Sequence, residues 1–184
     1  MASGKSVVGP LLADRLGYRF LDLDERVERL AARPISEVFA AGGESAFRAL
    51  EARANEELAL AYAPLAGNPP TPGTEGSEGS GARPGVVIAT GGGWMARPGL
   101  GLRWPGAVRV WLRVSPEAVL KRLGSEIRAR PMIDPDAPER SIRSLLRARE
   151  PHYARAEIAV DTDGRTPREV AEEIDRRLRG LVSR

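Results

Sequence analysis

The sequence predicts an α/β fold in which a parallel sheet is covered by helices on both faces, and two observations predict it. Short apolar, β-rich runs at residues 18–23, 86–89, 108–114 and 158–160 alternate with longer stretches of helical periodicity, the pattern of successive βαβ units. The chain also opens on Met1-Ala2-Ser3-Gly4-Lys5-Ser6, the second half of the phosphate-binding loop G-x-x-x-x-G-K-[ST], which joins a buried strand to a helix in such sheets.

In that loop backbone N–H groups cradle phosphates, the lysine reaches the β- and γ-phosphates, and the hydroxyl ligates Mg²⁺. The phosphate-binding residues are therefore Ser3, Gly4, Lys5, Ser6 and Val7, with Ser6 the metal ligand. The first glycine and the leading strand would lie before Met1, so the expectation is a chain truncated within the loop and lacking its first strand. Residues 7–16 carry apolar side chains at helical spacing, with Pro10 placed near the first turn. Lys5 and Lys121 are the only lysines among many arginines, and a lysine kept at the loop position suits a compact point charge.

Asp22-Leu23-Asp24 closes the first β-rich run. Ligands of open parallel sheets gather beyond the carboxyl ends of strands, and strand alternation would place side chains 22 and 24 on one face. One carboxylate could then hold Mg²⁺ while the other accepts a hydroxyl proton; capping of the following helix is the structural alternative for either. Next comes a long helical stretch bearing Phe47, Arg48 and Glu51. Arg48 and Glu51 stand at i,i+3, either as a surface pair or, on a crevice face, with Glu51 orienting Arg48 toward an anion.

Residues 64–85 are rich in Pro, Gly, Ser, Thr and Glu without apolar periodicity, which reads as a flexible surface insertion. Thr90-Gly91-Gly92-Gly93 follows the second β-rich run and leaves backbone N–H groups open to a ligand. Ser115-Pro116-Glu117 and Thr166-Pro167-Arg168-Glu169 each place a capping hydroxyl before an N1 proline, and the second forms a capping box. Between two helical patterns, residues 125–138 have the composition of a lid. Arg130 lies in it and Arg149 in the following helix, with Arg128 and Arg147 as competing cations. The last helix runs with Val170, Ile174, Leu178 and Leu181 along one face.

At 184 residues and a formal charge of +3, the chain is one domain spanning 1–184. Its arginines are dispersed without interleaved aromatics, which gives no support to a nucleic-acid surface. The absence of cysteine removes thiol chemistry, and with His152 as the single histidine a multi-histidine metal site is excluded. No G-x-S-x-G context accompanies His152, and it reads as a packing or surface residue. No apolar run has the length of a membrane span and no signal peptide opens the chain, so a cytoplasmic protein is expected.

Taken together, M-A-S-G-K-S, F-L-D-L-D-E, I-S-E-V-F-A-A-G-G-E-S-A-F-R-A-L-E, T-G-G-G, R-P-M-I and R-A-R-E-P-H-Y resemble the shikimate kinases, in order from Met1 to about Pro167. The resemblance implies a P-loop, nucleoside-monophosphate-kinase-like three-layer fold with a parallel sheet of order 2-3-1-4-5, strand 1 being absent here. It implies ATP-dependent phosphorylation of shikimate at the 3-hydroxyl, in aromatic amino acid biosynthesis, by a monomer with Mg²⁺. Lys5 matches the loop lysine, Ser6 and Asp22 the magnesium side, and Asp24 the carboxylate that binds shikimate hydroxyls and acts as base. Arg48 and Arg149 match the clamp on the substrate carboxylate, supported by Glu51, and Gly92 and Gly93 match the wall of its pocket. Arg130 matches the lid arginine facing the phosphates, Arg165 and Pro167 resemble the adenine side, and Arg122 stands for the adenine-stacking arginine. Trp94 replaces a small residue after the glycines, an expected change at the pocket rim, and the insertion at 64–85 is longer than usual. Another hydroxy-acid kinase, such as one for gluconate, and an inactive shikimate-binding relative are the alternatives.

Overall fold

A computed structural model describes residues 2–62, 85–97, 104, 106–130 and 132–182. In chain order the elements are α1 (Lys5–Leu16), β1 (Arg19–Asp22), α2 (Leu23–Ala31), α3 (Ile35–Tyr62), β2 (Val86–Ala89), β3 (Val110–Arg113), α4 (Pro116–Leu123), α5 (Pro138–Tyr153), β4 (Ile158–Asp161) and α6 (Pro167–Val182). All four strands fall on the β-rich runs. β1 pairs in parallel with β2, from Arg19 against Val86 to Asp22 against Ala89, and β3 with β4, from Val110 against Ile158 to Arg113 against Asp161. Among the described residues these are two separate two-stranded sheets. They correspond to the outer pairs 2-3 and 4-5 of the expected sheet, with no strand of the described residues between them.

Gly4 starts α1 in a left-handed conformation, φ 91°, and its carbonyl accepts from the N–H groups of Val7 and Val8. Pro10 lies in the second turn of α1 and not near its first. The helix tolerates it there because α1 is held by packing: Val8, Leu12 and Leu16 bury against Ile158, Val160, Val170, Ala171 and Ile174.

A second core gathers Leu23, Val27, Val38, Phe47, Ala54, Leu58 and Trp94 between α2 and α3. α3 is interrupted at Gly43, whose φ of 62° and ψ of −164° are not helical. A third core, Val119, Leu123, Ile133 and Ile142, joins α4 to α5.

Ser115 caps α4 by accepting from the Ala118 N–H at 3.1 Å. At α6 both halves of the Thr166–Glu169 box form, at 3.3 and 2.7 Å. Val170 and Ile174 are buried as expected, but Leu181 is 44% exposed, because the core behind α6 ends before its last turn.

Of the insertion at 64–85, residues 64–84 lie outside the described residues. Gly85 packs so closely on Tyr18 that a Cβ there would stand 2.5 Å from the ring. Within 125–138, a 3₁₀ turn over Gly124–Ala129 leads to Arg130, and Ile133, 5% exposed, anchors the segment in the third core. No described helix is long and apolar enough to cross a membrane.

Candidate active site

The N-terminus of α1 and the carboxyl end of β1 meet at one point. Ser6 Oγ donates to Asp22 Oδ2 at 3.1 Å, while Asp22 Oδ1 accepts from the Asp24 N–H at 2.9 Å. Asp22 therefore caps α2, and Asp24 lies in the first turn of that helix. This corrects the strand-alternation expectation: the cap ends β1 at Asp22, so helical geometry carries Asp24 toward Lys5.

Asp24 Oδ1 is buried and has no hydrogen-bond partner among the described residues. Burial, then the charge of Asp22, pushes its carboxyl above the ordinary aspartate value, and Lys5 pulls it back. Lys5, the first residue of α1, is held below the ordinary lysine value chiefly by burial. Asp24 and Asp22 oppose that shift, while Arg149 and Arg130 add to it. No acidic residue occupies the first turn of α1, which leaves the positive helix end and its N–H groups to an anion. Ser3 is buried beside this end and Val7 is exposed.

The second half of the site is built on α3. Glu51 is 0% exposed, and its Oε2 takes Arg48 Nη1 at 2.9 Å and Arg97 Nη1 at 3.5 Å. Arg97 also donates to the Arg48 carbonyl at 2.8 Å. On its other edge Arg48 is bound by Glu44, at 2.8 Å through Nη2 and 3.1 Å through Nε. Burial alone would lower the Arg48 pKa, but the hydrogen bonds to Glu44 and Glu51 raise it. The Arg48–Glu51 pair is thus largely buried and not a surface pair.

The triple glycine closes over these groups. A Cβ at Gly93 would lie 2.6 to 2.9 Å from three guanidinium atoms of Arg48, and one at Gly91 would lie 2.8 Å from Glu51 Oε1 and 3.2 Å from Asp24 Oδ1. Glu51 Oε1 is itself without a hydrogen-bond partner among the described residues. The Gly92 carbonyl accepts from the Tyr153 hydroxyl, and Tyr153, one turn after Arg149 on α5, is held above the ordinary tyrosine value by burial, with Arg149 opposing.

Trp94 is not on the pocket rim as expected. It turns into the core, 7% exposed, because its indole N–H donates to Asn55 Oδ1 at 3.0 Å, as does that of Trp104 at 2.9 Å.

A cleft of about 510 Å³ runs from Ser3, Lys5, Gly91 and Gly92 along β3 to Tyr153. Arg130 is exposed and paired with Glu126 at 3.2 Å. Arg165 donates to the carbonyls of Asp161 and Glu169, beside Pro167 at the start of α6. Arg122 ties the Ala2 carbonyl to Thr162. The structure thus brings Lys5, Ser6, Asp22 and Asp24 together, and Arg48 with Glu51, Gly91 and Gly93; of the expected site residues Ser3, Lys5 and Gly92 line that cleft, whereas Asp24, Arg48, Glu51, Arg130, Arg149, Arg165 and Pro167 do not.

Sequence reasoning missed Glu44, Arg97, Asn55 and Tyr153. Glu44 had a local signal, since Glu44, Arg48 and Glu51 follow E-x-x-x-R-x-x-E spacing; Arg97 and Asn55 act across distant segments and had none.

The family model for shikimate kinase matches residues 1–62 and 78–179. A shikimate kinase of Moorella thermoacetica is 39% identical over 183 residues, covering 99% of this chain and 92% of the relative. One from a Synechococcus strain is 34% identical over 182 residues, covering 99% and 82%. Among solved structures, the Acinetobacter baumannii shikimate kinase in complex with shikimate superposes with a TM-score of 0.80 at 28% identity, covering 98% of this chain and 89% of that one. The Aquifex aeolicus enzyme gives 0.73 at 29%, covering 99% and 94%.

Proposed function

We propose a residue-level assignment that follows from one premise: the chain belongs to the shikimate kinase family. The reaction transfers the γ-phosphoryl group of ATP to the 3-hydroxyl of shikimate, giving shikimate 3-phosphate and ADP for aromatic biosynthesis.

In our reading the Asp24 carboxylate accepts the hydroxyl proton as the hydroxyl oxygen bonds to the γ-phosphorus and the bond to the departing ADP oxygen breaks. Lys5 and Arg130 stabilise the charge spreading over the phosphoryl oxygens, and the backbone of Ser3, Gly4 and residues 5–7 cradles the phosphates. Arg48, aimed by Glu51, and Arg149 hold the shikimate carboxylate against the wall formed by Gly92 and Gly93. Arg165 and Pro167 face the adenine, and residues 125–138 act as the lid.

The Ser6 hydroxyl and Asp22 carboxylate, 3.1 Å apart, form an all-oxygen pair of the kind that suits Mg²⁺, which when bound with ATP neutralises charge on its phosphates. A cytoplasmic monomer without membrane or nucleic-acid partners completes the reading; many of the arginines are engaged by neighbouring carboxylates of the same chain.

The observation that carries the assignment is the buried, unpartnered Asp24 Oδ1 within electrostatic reach of Lys5. A coupled ADP-release assay with shikimate, gluconate or no acceptor tests it. Turnover is expected with shikimate alone, and Asp24→Asn should lower kcat by about 10²- to 10⁴-fold with the ATP KM retained. An Asp24→Asn enzyme within a few-fold of the parent kcat would remove Asp24 from the base role.

A further inference from the structure

Arg48 is surrounded by charge before any substrate arrives. Glu51 holds Nη1 from a fully buried position, with Arg97 behind it. Glu44, one turn earlier on α3, takes the side-on fork of Nε and Nη2 through a single oxygen. The Phe47 ring lies 5.2 Å from the guanidinium carbon, and Gly93 packs against the guanidinium nitrogens. Two cations, Arg48 and Arg97, thus face two anions, Glu51 and Glu44, and the cluster is neutral. Without Glu44 it carries +1, the complement of one carboxylate.

The two glutamates differ in how readily they can leave. Glu51 is 0% exposed, and a buried charge separated from its partners is strongly destabilising. The Glu44 side chain is 51% exposed and so has water to move into, and an exposed ion pair contributes little. It directly follows Gly43, where the helical backbone is broken, so the turn that carries it is not extended from an intact ladder before it.

We infer that Glu44 is a displaceable internal carboxylate, which occupies the Arg48 fork in the empty site and competes with the substrate carboxylate for it. This rests on the reading above that Arg48 binds that carboxylate. Glu44 keeps Arg48 oriented while the site is empty, and the incoming carboxylate replaces it one for one, so the charge of the cluster is conserved on binding. Glu44 is thereby a specificity-determining residue: ligands without a carboxylate cannot take its place on the fork.

The test is Glu44→Gln, with Glu44→Ala as a second variant, both checked for parental thermal unfolding. Shikimate and its methyl ester are titrated by calorimetry into the parent, each variant, Arg48→Met, and Arg48→Met with Glu44→Gln. Shikimate is expected to bind about two- to fivefold more tightly to Glu44→Gln. The methyl ester should bind parent and variant alike, and Glu44→Gln should have no effect in the Arg48→Met background. Unchanged or weaker shikimate binding in both Glu44 variants overturns the competition while leaving the clamp intact, provided Arg48→Met weakens shikimate binding. Equal gains for shikimate and its ester also overturn it. If Arg48→Met leaves shikimate binding unaltered, the clamp reading itself falls.

Discussion

Replacing Arg48 by methionine should damage stability and substrate binding by separable amounts. Glu51 is fully buried and, among the described residues, keeps only the Arg97 cation, at 3.5 Å, once Arg48 is gone. Breaking a buried ion pair costs about 3 to 5 kcal/mol, and the remaining arginine places this case near the lower end, at roughly 3 kcal/mol. For a chain of this length that lowers Tm by about 6 to 12 °C. Losing one charge-assisted contact to the substrate carboxylate removes about 1.5 to 3 kcal/mol, a rise in the shikimate KM of roughly ten- to hundredfold, with the ATP KM little changed. Adding Glu51→Leu to Arg48→Met removes the stranded charge, so most of the stability should return. The partly exposed Arg97 can turn its guanidinium to water. The shikimate KM should stay high. Urea denaturation and the coupled assay on parent, single and double variants read both quantities. Equal changes in the two KM values, or recovery of shikimate binding in the double variant, would refute the reasoning.

Three further outcomes are expected. Asp24 must be ionised to accept a proton and its carboxyl is raised, chiefly by burial, so kcat/KM should fall with decreasing pH along a limb above the ordinary aspartate range; a limb at or below that range contradicts the role. The Arg109 guanidinium holds Glu157 at about 2, a depressed value whose stabilisation is present above the ordinary glutamate pKa of 4.5 and lost as pH falls toward 2. The stability gap between the parent and Glu157→Gln should therefore narrow between pH 6 and pH 3 in urea titrations, and a constant gap would show that the pair does not contribute. Asn55→Leu strands the indole N–H groups of Trp94 and Trp104. It should cost about 2 to 4 kcal/mol by urea denaturation, and because Trp94 follows Gly93, it should raise the shikimate KM; a neutral substitution would remove Asn55 as the anchor of this wall.

Elements governed by local periodicity were legible in the sequence. Each strand lies on an apolar run, and Ser115 and Thr166 cap the helices their spacing announces. The helix start at Gly4 and Lys5 and the pairing of Arg48 with Glu51 were legible for a similar reason, since their spacing along the chain is their signal. The grouping of Asp22 and Asp24 beside Lys5 was expected, but not its cause: alternation assumes the strand continues, and a side-chain cap at Asp22 ended it two residues earlier. Trp94 was assigned to the rim because nothing local shows that Asn55, 39 positions earlier, would accept its N–H in the core. Arg97 and Tyr153 gain their roles from backbone carbonyls of Arg48 and Gly92, partners that carry no side-chain signature.

The packing of α1 also sets an order of assembly. Its apolar face is filled by β4 and α6, and Arg15 pairs with Glu172 and Asp175 of α6 at 3.3 and 3.5 Å. The described element earliest in the chain is therefore completed by the one translated last. During synthesis β1, α2 and α3 can associate as soon as β2 emerges, whereas Lys5 and Ser6 stand on a helix whose supporting surface does not yet exist. On the proposed assignment, a ribosome-bound chain lacking α6 would carry a formed Arg48–Glu51 pair while the helix end proposed to bind phosphate was still unsupported, so nucleotide binding would be the last property the nascent protein acquires.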